Sequence, residues 1–359
     1  MKSRKLILTT AVFIAGMSWQ VSAQFQNADV WEYPAFNQEN YRYCINIPNI
    51  DGYETLKCDF HVHTVFSDGQ VWPSTRVDEA WNEGLDAIAI TDHIEYRPHK
   101  SILSGDLNKS YDIAKNEGDA IGMIVIKGIE ITRKKPFGHM NALFIQDANK
   151  IELPNELDAL NEAVKQGAFI LWNHPGWPND TSTIYPIHEE LIAQKKIHGV
   201  EVFNGDESYP KVMDWFPKYK LAPFANSDIH YTTANMYRGK GQRPITLVFA
   251  KERSVEGIKE ALFAGRTVAC YANNLIGKEE YLQELVKKSL FIKVIDSKGG
   301  RIEICNKSDI TFNIKWGNKM YSTPVFANQI LRLGLPEGTP VIFTNCLIGQ
   351  DKFLSMKLW

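Results

Sequence analysis

The stretch KCDFHVHTVFSDG (57–69), followed one helix later by LDAIAITDH (85–93), decides the fold. Leu56 to His63 reads as a buried strand, and His61 and His63 are two residues apart in it. On an extended strand that spacing turns both imidazoles to one side, where a single cation can take both. Ser67-Asp68-Gly69 is turn-forming and folds a carboxylate back over the strand end. A second apolar run, Ala87 to Ile90, ends in Thr91-Asp92-His93. One histidine at a strand end is an ordinary polar cap; four ligand-type groups at the same ends of consecutive strands predict a metal site.

Outward from this stretch the chain alternates short apolar strands with helices. Pro73 to Glu83 reads as a helix capped by Ser74 and stopped by Gly84, and helical spacing runs from about Ser101 to Ala120. Strands are expected at Met123–Ile131, Met140–Ile145, Ala168–Trp172, Gly199–Phe203, Leu221–Ala225, Ile245–Ala250 and Thr267–Tyr271. Between them lie expected helices at Glu156–Gln166, His188–Lys196 and Val255–Phe263. Such alternation predicts a parallel sheet covered by helices, and polar residues after the strands favour a closed or nearly closed (β/α) barrel with its site at the C-terminal strand ends. From Leu290 the helices stop and six short strand-like runs follow, so a small antiparallel β domain is expected behind a connector helix at Lys278–Lys288. The resulting division is a leader (1–23), an N-terminal extension (24–54), a barrel (55–277) and a connector with its β domain (278–359).

The leader has the pattern of a secretory signal peptide. Lys2, Arg4 and Lys5 precede an apolar run from Leu6 to Met17, and Val21-Ser22-Ala23 is a small-residue cleavage site. The expected protein is exported, periplasmic or secreted, with no membrane anchor. A net charge of −2 argues against a polyanion-binding face, so the expected partner is a small molecule and not a polymeric nucleic acid. Oligomeric state is not legible. Five scattered cysteines contain no CxxC pair and specify no disulfide, although Cys58 and Cys270 sit in apolar runs and are expected to be buried.

Collecting the strand-end groups gives His61, His63, Asp68, His93, Glu130, His139, His174, Asp228 and His230, which include six of the nine histidines. Imidazole and carboxylate without thiolate suit zinc, manganese or iron, and this many ligands exceed one tetrahedral ion. Two or three divalent ions fit better. His188 and His198, in or after a helix, are expected at the surface.

In order, DFHVHTVFSDG, TDH, GIE, GHMNALF, NHPG and SDIH resemble the successive motifs of the polymerase and histidinol phosphatase (PHP) superfamily of metal-dependent phosphoesterases. The resemblance covers roughly Leu56 to Tyr271. It implies a distorted (β/α)7 barrel and a trinuclear site. His61, His63, Glu130 and Asp228 would hold one metal, Glu130 would bridge to a second held by His139 and His174, and Asp68, His93 and His230 would hold the third. Asp68 stands where some members have histidine.

The leader, the TDHIEYRPHK string and the β-rich tail resemble exported members that cleave organic phosphodiesters, which implies attack on phosphorus by a metal-bridging hydroxide. Arg97, Arg133 and Arg238 are candidate anion contacts, Asp92 a partner for a metal-bound histidine or water, and His99 an acid for the leaving alkoxide. Phe66, Trp72, Tyr96, Trp177, Phe203 and Tyr231 offer apolar surface for a second ester substituent. The alternatives are a phosphomonoesterase acting on sugar phosphates or nucleotides, and a non-catalytic exported binding protein. An amidohydrolase would need a strand-end carboxylated lysine, for which no position stands out.

Overall fold

A computed structural model describes residues 41–179, 181–237 and 241–359. The expected leader, residues 24–40 of the expected extension, and Arg238 lie outside the described residues. Strand β1 (Glu54–Val62) is followed by α1 (Pro73–Asn82) and β2 (Ala87–Ile90). Helix α2 (Lys109–Ile121) leads to β3 (Ile124–Thr132), and β4 (His139–Leu143) follows after a short turn. Next come α3 (Glu156–Lys165), β5 (Phe169–Trp172), α4 (Pro186–Ala193) and β6 (Gly199–Asn204). A two-residue β7 (Glu207–Ser208), α5 (Val212–Tyr219) and β8 (Ala222–Asn226) complete the series.

Seven of these strands pair in the order β1-β2-β3-β4-β5-β6-β8, and a parallel bridge from Val62 to Ile229, just past β8, brings the chain back to β1. This is the distorted (β/α)7 barrel that the resemblance implies. The expectation of a purely parallel sheet fails at β4, which runs antiparallel to both β3 and β5. The connection from β3 spans only residues 133–138, too few for a crossover, so the chain makes a hairpin. Reversal puts the first residue of β4, His139, at the same barrel end as the last residues of β3.

After α6 (Thr233–Tyr237), β9 (Ile245–Ala250) runs antiparallel along the first half of β1. Helix α7 (Val255–Phe263), β10 (Thr267–Tyr271) and β11 (Asn274–Gly277) extend the sheet. Local chemistry fixes the ends of α1. Proline occupies its first turn and Trp72 its N-cap, so Ser74 is inside the helix and is not the cap. Gly84 adopts φ +88°, and a Cβ there would meet the Tyr43 carbonyl at 2.5 Å, which explains why glycine ends the helix.

The connector helix α8 (Glu279–Ser289) precedes β12 (Leu290–Asp296), β13 (Arg301–Asn306), β14 (Phe312–Trp316), β15 (Thr323–Val325), β16 (Ile330–Gly334), β17 (Pro340–Gly349) and β18 (Lys352–Lys357). These strands pair antiparallel, as expected of a β-rich tail, but in two groups. Strands β12, β13 and β16 form a separate sheet. Strand β17, flanked by β14 and β18, also runs parallel to β11 through Leu275–Cys346 and Ile276–Leu347, so this group continues the barrel's own sheet. Phe312, Ile314 and Phe343 of the tail share one apolar cluster with Val62, Ile88 and Val268 of the barrel. Arg42–Trp359 accordingly clusters as one compact unit. All five cysteines are free thiols; Cys58 is buried and Cys270 only partly so. Among the described residues no helix is long and apolar enough to cross a membrane.

Candidate metal centre

The β1 end delivers His61 and His63, both fully buried. The turn after β1 then folds over them. Gly69 makes this approach, since a Cβ there would lie 2.8 Å from backbone atoms of His63 and Thr64. Asp68 Oδ1 is thereby placed 3.2 Å from His230 Nε2 and 3.5 Å from His93 Nε2. Glu130, inside β3, sits at the middle of the cluster: its Oε2 is 3.6 Å from His61 Nε2 and 3.5 Å from His63 Nε2. On its other side Oε1 is 3.0 Å from His139 Nδ1 and 3.7 Å from His174 Nε2. Asp228 Oδ1 lies 3.2 Å from His61 Nε2 and 3.0 Å from His63 Nε2. All nine residues therefore converge on one barrel mouth.

Three ligand-type groupings emerge within it: His61, His63 and Asp228; His61, Glu130 and His174; and His63, Asp68, His93 and His230. His63 thus faces the third grouping as well as the first, its ring 4.2 Å from that of His230 and 4.4 Å from that of His93. Six buried atoms that face inward have no hydrogen-bond partner among the described residues: His61 Nε2, His63 Nε2, Asp68 Oδ1, Glu130 Oε2, His139 Nδ1 and Asp228 Oδ1. Buried donors and acceptors are rarely left unpaired, because each costs about 1–3 kcal/mol. Six at one spot, all of metal-ligand type, fit divalent cations.

The electrostatics are those of a tightly coupled carboxylate–imidazole cluster: against the lowering effect of burial, Asp228, Glu130 and Asp68 raise the pKa of His61, His93, His174 and His230. Burial alone raises a carboxyl pKa, yet His93 and His61, with His139 and His174, hold Glu130 well below the usual carboxylate range. Asp228 is likewise raised by burial and more than compensated by His61 and His63. His63 is pushed down to about 4 by burial and by the neighbouring His93 and His230, so it presents a neutral lone pair. His174 at φ 24° and Asp228 at φ 50° occupy the left-handed region, a local strain that the surrounding contacts must hold in place.

Those contacts come from residues that the sequence reading passed over. Glu201, fully buried in β6, accepts from His61 Nδ1 at 2.9 Å and from the His174 backbone N–H at 2.7 Å. Asn226 and Asn204 each donate to it at 2.9 Å. Glu201 thereby leaves His61 Nε2 as the free lone pair, the usual arrangement behind a metal-bound histidine. Asn173 donates to Glu130 Oε1 at 3.0 Å and to Asn141 Oδ1 at 2.8 Å. The available signal was a lone glutamate inside the apolar run Gly199–Phe203.

Other expected site residues lie elsewhere. Arg97 is tied to Glu152 and donates to the Gly105 carbonyl at 3.2 Å, so it lies outside the mouth. His99 is exposed in the turn after β2 and does not line the mouth. Arg133 pairs with Glu95 at 3.0 Å and borders an adjoining cavity. Both Asp92 oxygens are taken by Thr64 and Ser67; Asp92 reaches His63 only through the Ser67 hydroxyl, 3.3 Å from His63 Nδ1. Of the aromatics, Tyr96 and Trp177 line the mouth and Phe203 is buried.

Against the expected surface placement, His188 is buried and His198 is partly buried. His188 Nε2 is 2.9 Å from the Phe137 carbonyl. His198 Nδ1 accepts from the Ile170 N–H at 3.0 Å, with its ring against Phe169 and Phe263. Both follow helical pattern in sequence yet turn inward against strand ends.

Residues 59–203 match the PHP domain family. A two-domain protein from Bacteroides vulgatus containing a predicted PHP-like metal-dependent phosphoesterase has a crystal structure that superposes with a TM-score of 0.85 at 38% identity, covering 89% of this chain and 99% of that one. An uncharacterised protein from Methanocaldococcus jannaschii is 37% identical over 81 residues, which span 23% of this chain and 36% of that protein's length.

Proposed function

The chain belongs to the PHP superfamily of metal-dependent phosphoesterases, and on that premise we propose that it is an exported hydrolase of small organic phosphodiesters. The observation that carries the diester reading is the make-up of the mouth. Its cavity, about 440 Å³, has Tyr96 and Trp177 on its wall and no lysine or arginine among its described lining residues. A monoester dianion would call for cations beyond the metals, whereas a diester monoanion needs room and apolar surface for a second substituent.

In this reading His61, His63 and Asp228, with Glu130 beside them, would hold one divalent ion, Glu130 with His139 and His174 a second, and Asp68, His93 and His230, beside His63, a third. Manganese, zinc and iron all suit such donors. When bound, such ions supply Lewis-acid polarisation of the phosphoryl oxygens and of the attacking water. The protein supplies orientation. Glu201 fixes the His61 ring, and the Asp228 carbonyl, 2.7 Å from His230 Nδ1, aims His230 Nε2 at Asp68. Asn173 holds one oxygen of Glu130 and leaves the other facing the centre. Trp177, with its ring 4.9 Å from that of His139, forms part of the wall of the mouth.

Turnover of bis(p-nitrophenyl) phosphate against p-nitrophenyl phosphate, with manganese and after chelation, tests this. The expected result is a higher kcat/KM on the diester and loss of both activities on chelation. A clear monoester preference contradicts the diester reading and leaves the metal site standing.

A further inference from the structure

Next to the mouth lies a second cavity, about 360 Å³, that shares His139, His174 and Trp177 with it. These three shared residues put the second space directly beside the ligand cluster. The two cavities differ in charge. The mouth is lined by Asp68, Asp228 and Glu207, whereas the second is lined by Arg133, Lys134 and Lys135 and by no carboxylate among its described residues. All three cations come from the short turn between β3 and β4.

Their surroundings separate them. Arg133 is neutralised by Glu95 at 3.0 Å and also donates to the Leu153 carbonyl at 2.6 Å. Among the described residues Lys135 donates to the Gly176 carbonyl at 3.3 Å, and neither it nor exposed Lys134 pairs with a carboxylate. His188 adds no charge: its Nδ1 accepts from the Tyr185 N–H at 3.2 Å while its Nε2 faces the Phe137 carbonyl, the pattern of a neutral ring. Two ammonium groups with no carboxylate partner among the described residues therefore line a cavity whose walls include Trp172, Trp177 and Tyr185.

We propose that this cavity is a subsite for an ester substituent that carries its own negative charge, a carboxylate or a second phosphate, on a short apolar stem. The inference rests on the phosphoesterase reading and narrows its substrate class to esters with a second anionic group. The aromatic walls take the stem, and Lys134 and Lys135 take the charge.

Isothermal titration of the metal-loaded full chain with three matched phosphonates tests it without turnover. Butylphosphonate carries a neutral tail, 4-phosphonobutanoate a carboxylate and butane-1,4-bisphosphonate a second phosphonate. The wild type is expected to bind at least one charged-tail ligand about tenfold more tightly than butylphosphonate at constant ionic strength, and which of the two it prefers identifies the anion. The double variant Lys134→Gln/Lys135→Gln should reduce that ratio to within about twofold and keep its butylphosphonate affinity, while Lys150→Gln, on another surface, should keep the wild-type ratio. A wild-type ratio near one, or a ratio that survives the double variant, overturns the subsite. Failure to hydrolyse any diester with the binding ratio intact counts against the esterase reading alone.

Discussion

Strand β1 feeds two buried polar clusters, and they end differently. Asp59 enters one in which its carboxylate accepts from the Ser227 N–H at 3.1 Å, from the Ser227 hydroxyl and from Arg243 at 3.2 Å. Arg243 spends its other donors on Glu83, at 2.8 Å twice, and on Thr233 at 2.7 Å. Neither Asp59 nor Arg243 has an unpartnered buried side-chain atom. Two residues along the strand, His61 enters the other cluster, where six inward-facing atoms have no partner among the described residues. A buried charge network closed within the protein is a structural device; one left open at its centre is built around something that arrives from outside. The closed cluster also serves the open one, because Asp59 grips Ser227 and so fixes the loop that carries Asp228.

Breaking the closed cluster should have the larger effect on folding. Arg243→Met leaves the buried Asp59 carboxylate without its cation and should cost about 3–5 kcal/mol of stability. Urea unfolding measures this. A change under about 1 kcal/mol would mean that the network is not holding the barrel. Breaking the open cluster should instead spare the fold. Glu130→Gln removes the carboxylate at the centre and should lower kcat/KM by about 10²–10³-fold, beyond the 10–100-fold expected of an outer partner. Its metal content should fall in parallel while the metal-free protein unfolds at nearly the wild-type urea concentration. Retained activity would remove Glu130 from the centre.

A third effect concerns a partly buried histidine outside both clusters, His198. Burial lowers His198 to about 4, and its Nδ1 lone pair is already committed to the Ile170 N–H. Because the folded-state pKa is depressed, the unfolded chain binds the extra proton between pH 6.5 and about 4. The stability that His198 contributes is complete above pH 6.5 and is lost as pH falls through that window, by about 3 kcal/mol. Urea titrations of wild type and His198→Gln at pH 7 and pH 4.5 should show the wild type losing more. Parallel losses would deny His198 this role.

The strand ends were legible because ligand-type residues follow apolar runs, and strands such as Ile245–Ala250 and Thr267–Tyr271 match their expected bounds. What escaped depends on the third dimension. Strand β4 looks like any other apolar run; only the shortness of the preceding turn marks its reversal. Helix α5 contains Pro217, which hides its period, and β11 is four residues long, too short to announce the parallel pairing that ties β17 to the barrel. Arg97 and His99 follow β2 in sequence as a mouth residue should, but Glu152, from a segment some fifty residues later, draws Arg97 away. Glu201 escaped for the opposite reason: it lies inside an apolar strand, and its partners His61 and His174 are distant in sequence.

The central claim is that the open cluster is a multinuclear metal centre, and metal content tests it most directly. Protein reconstituted with manganese, freed of loosely held ions and confirmed active should carry close to three ions per chain by elemental analysis. One ion or none in active protein would contradict the account.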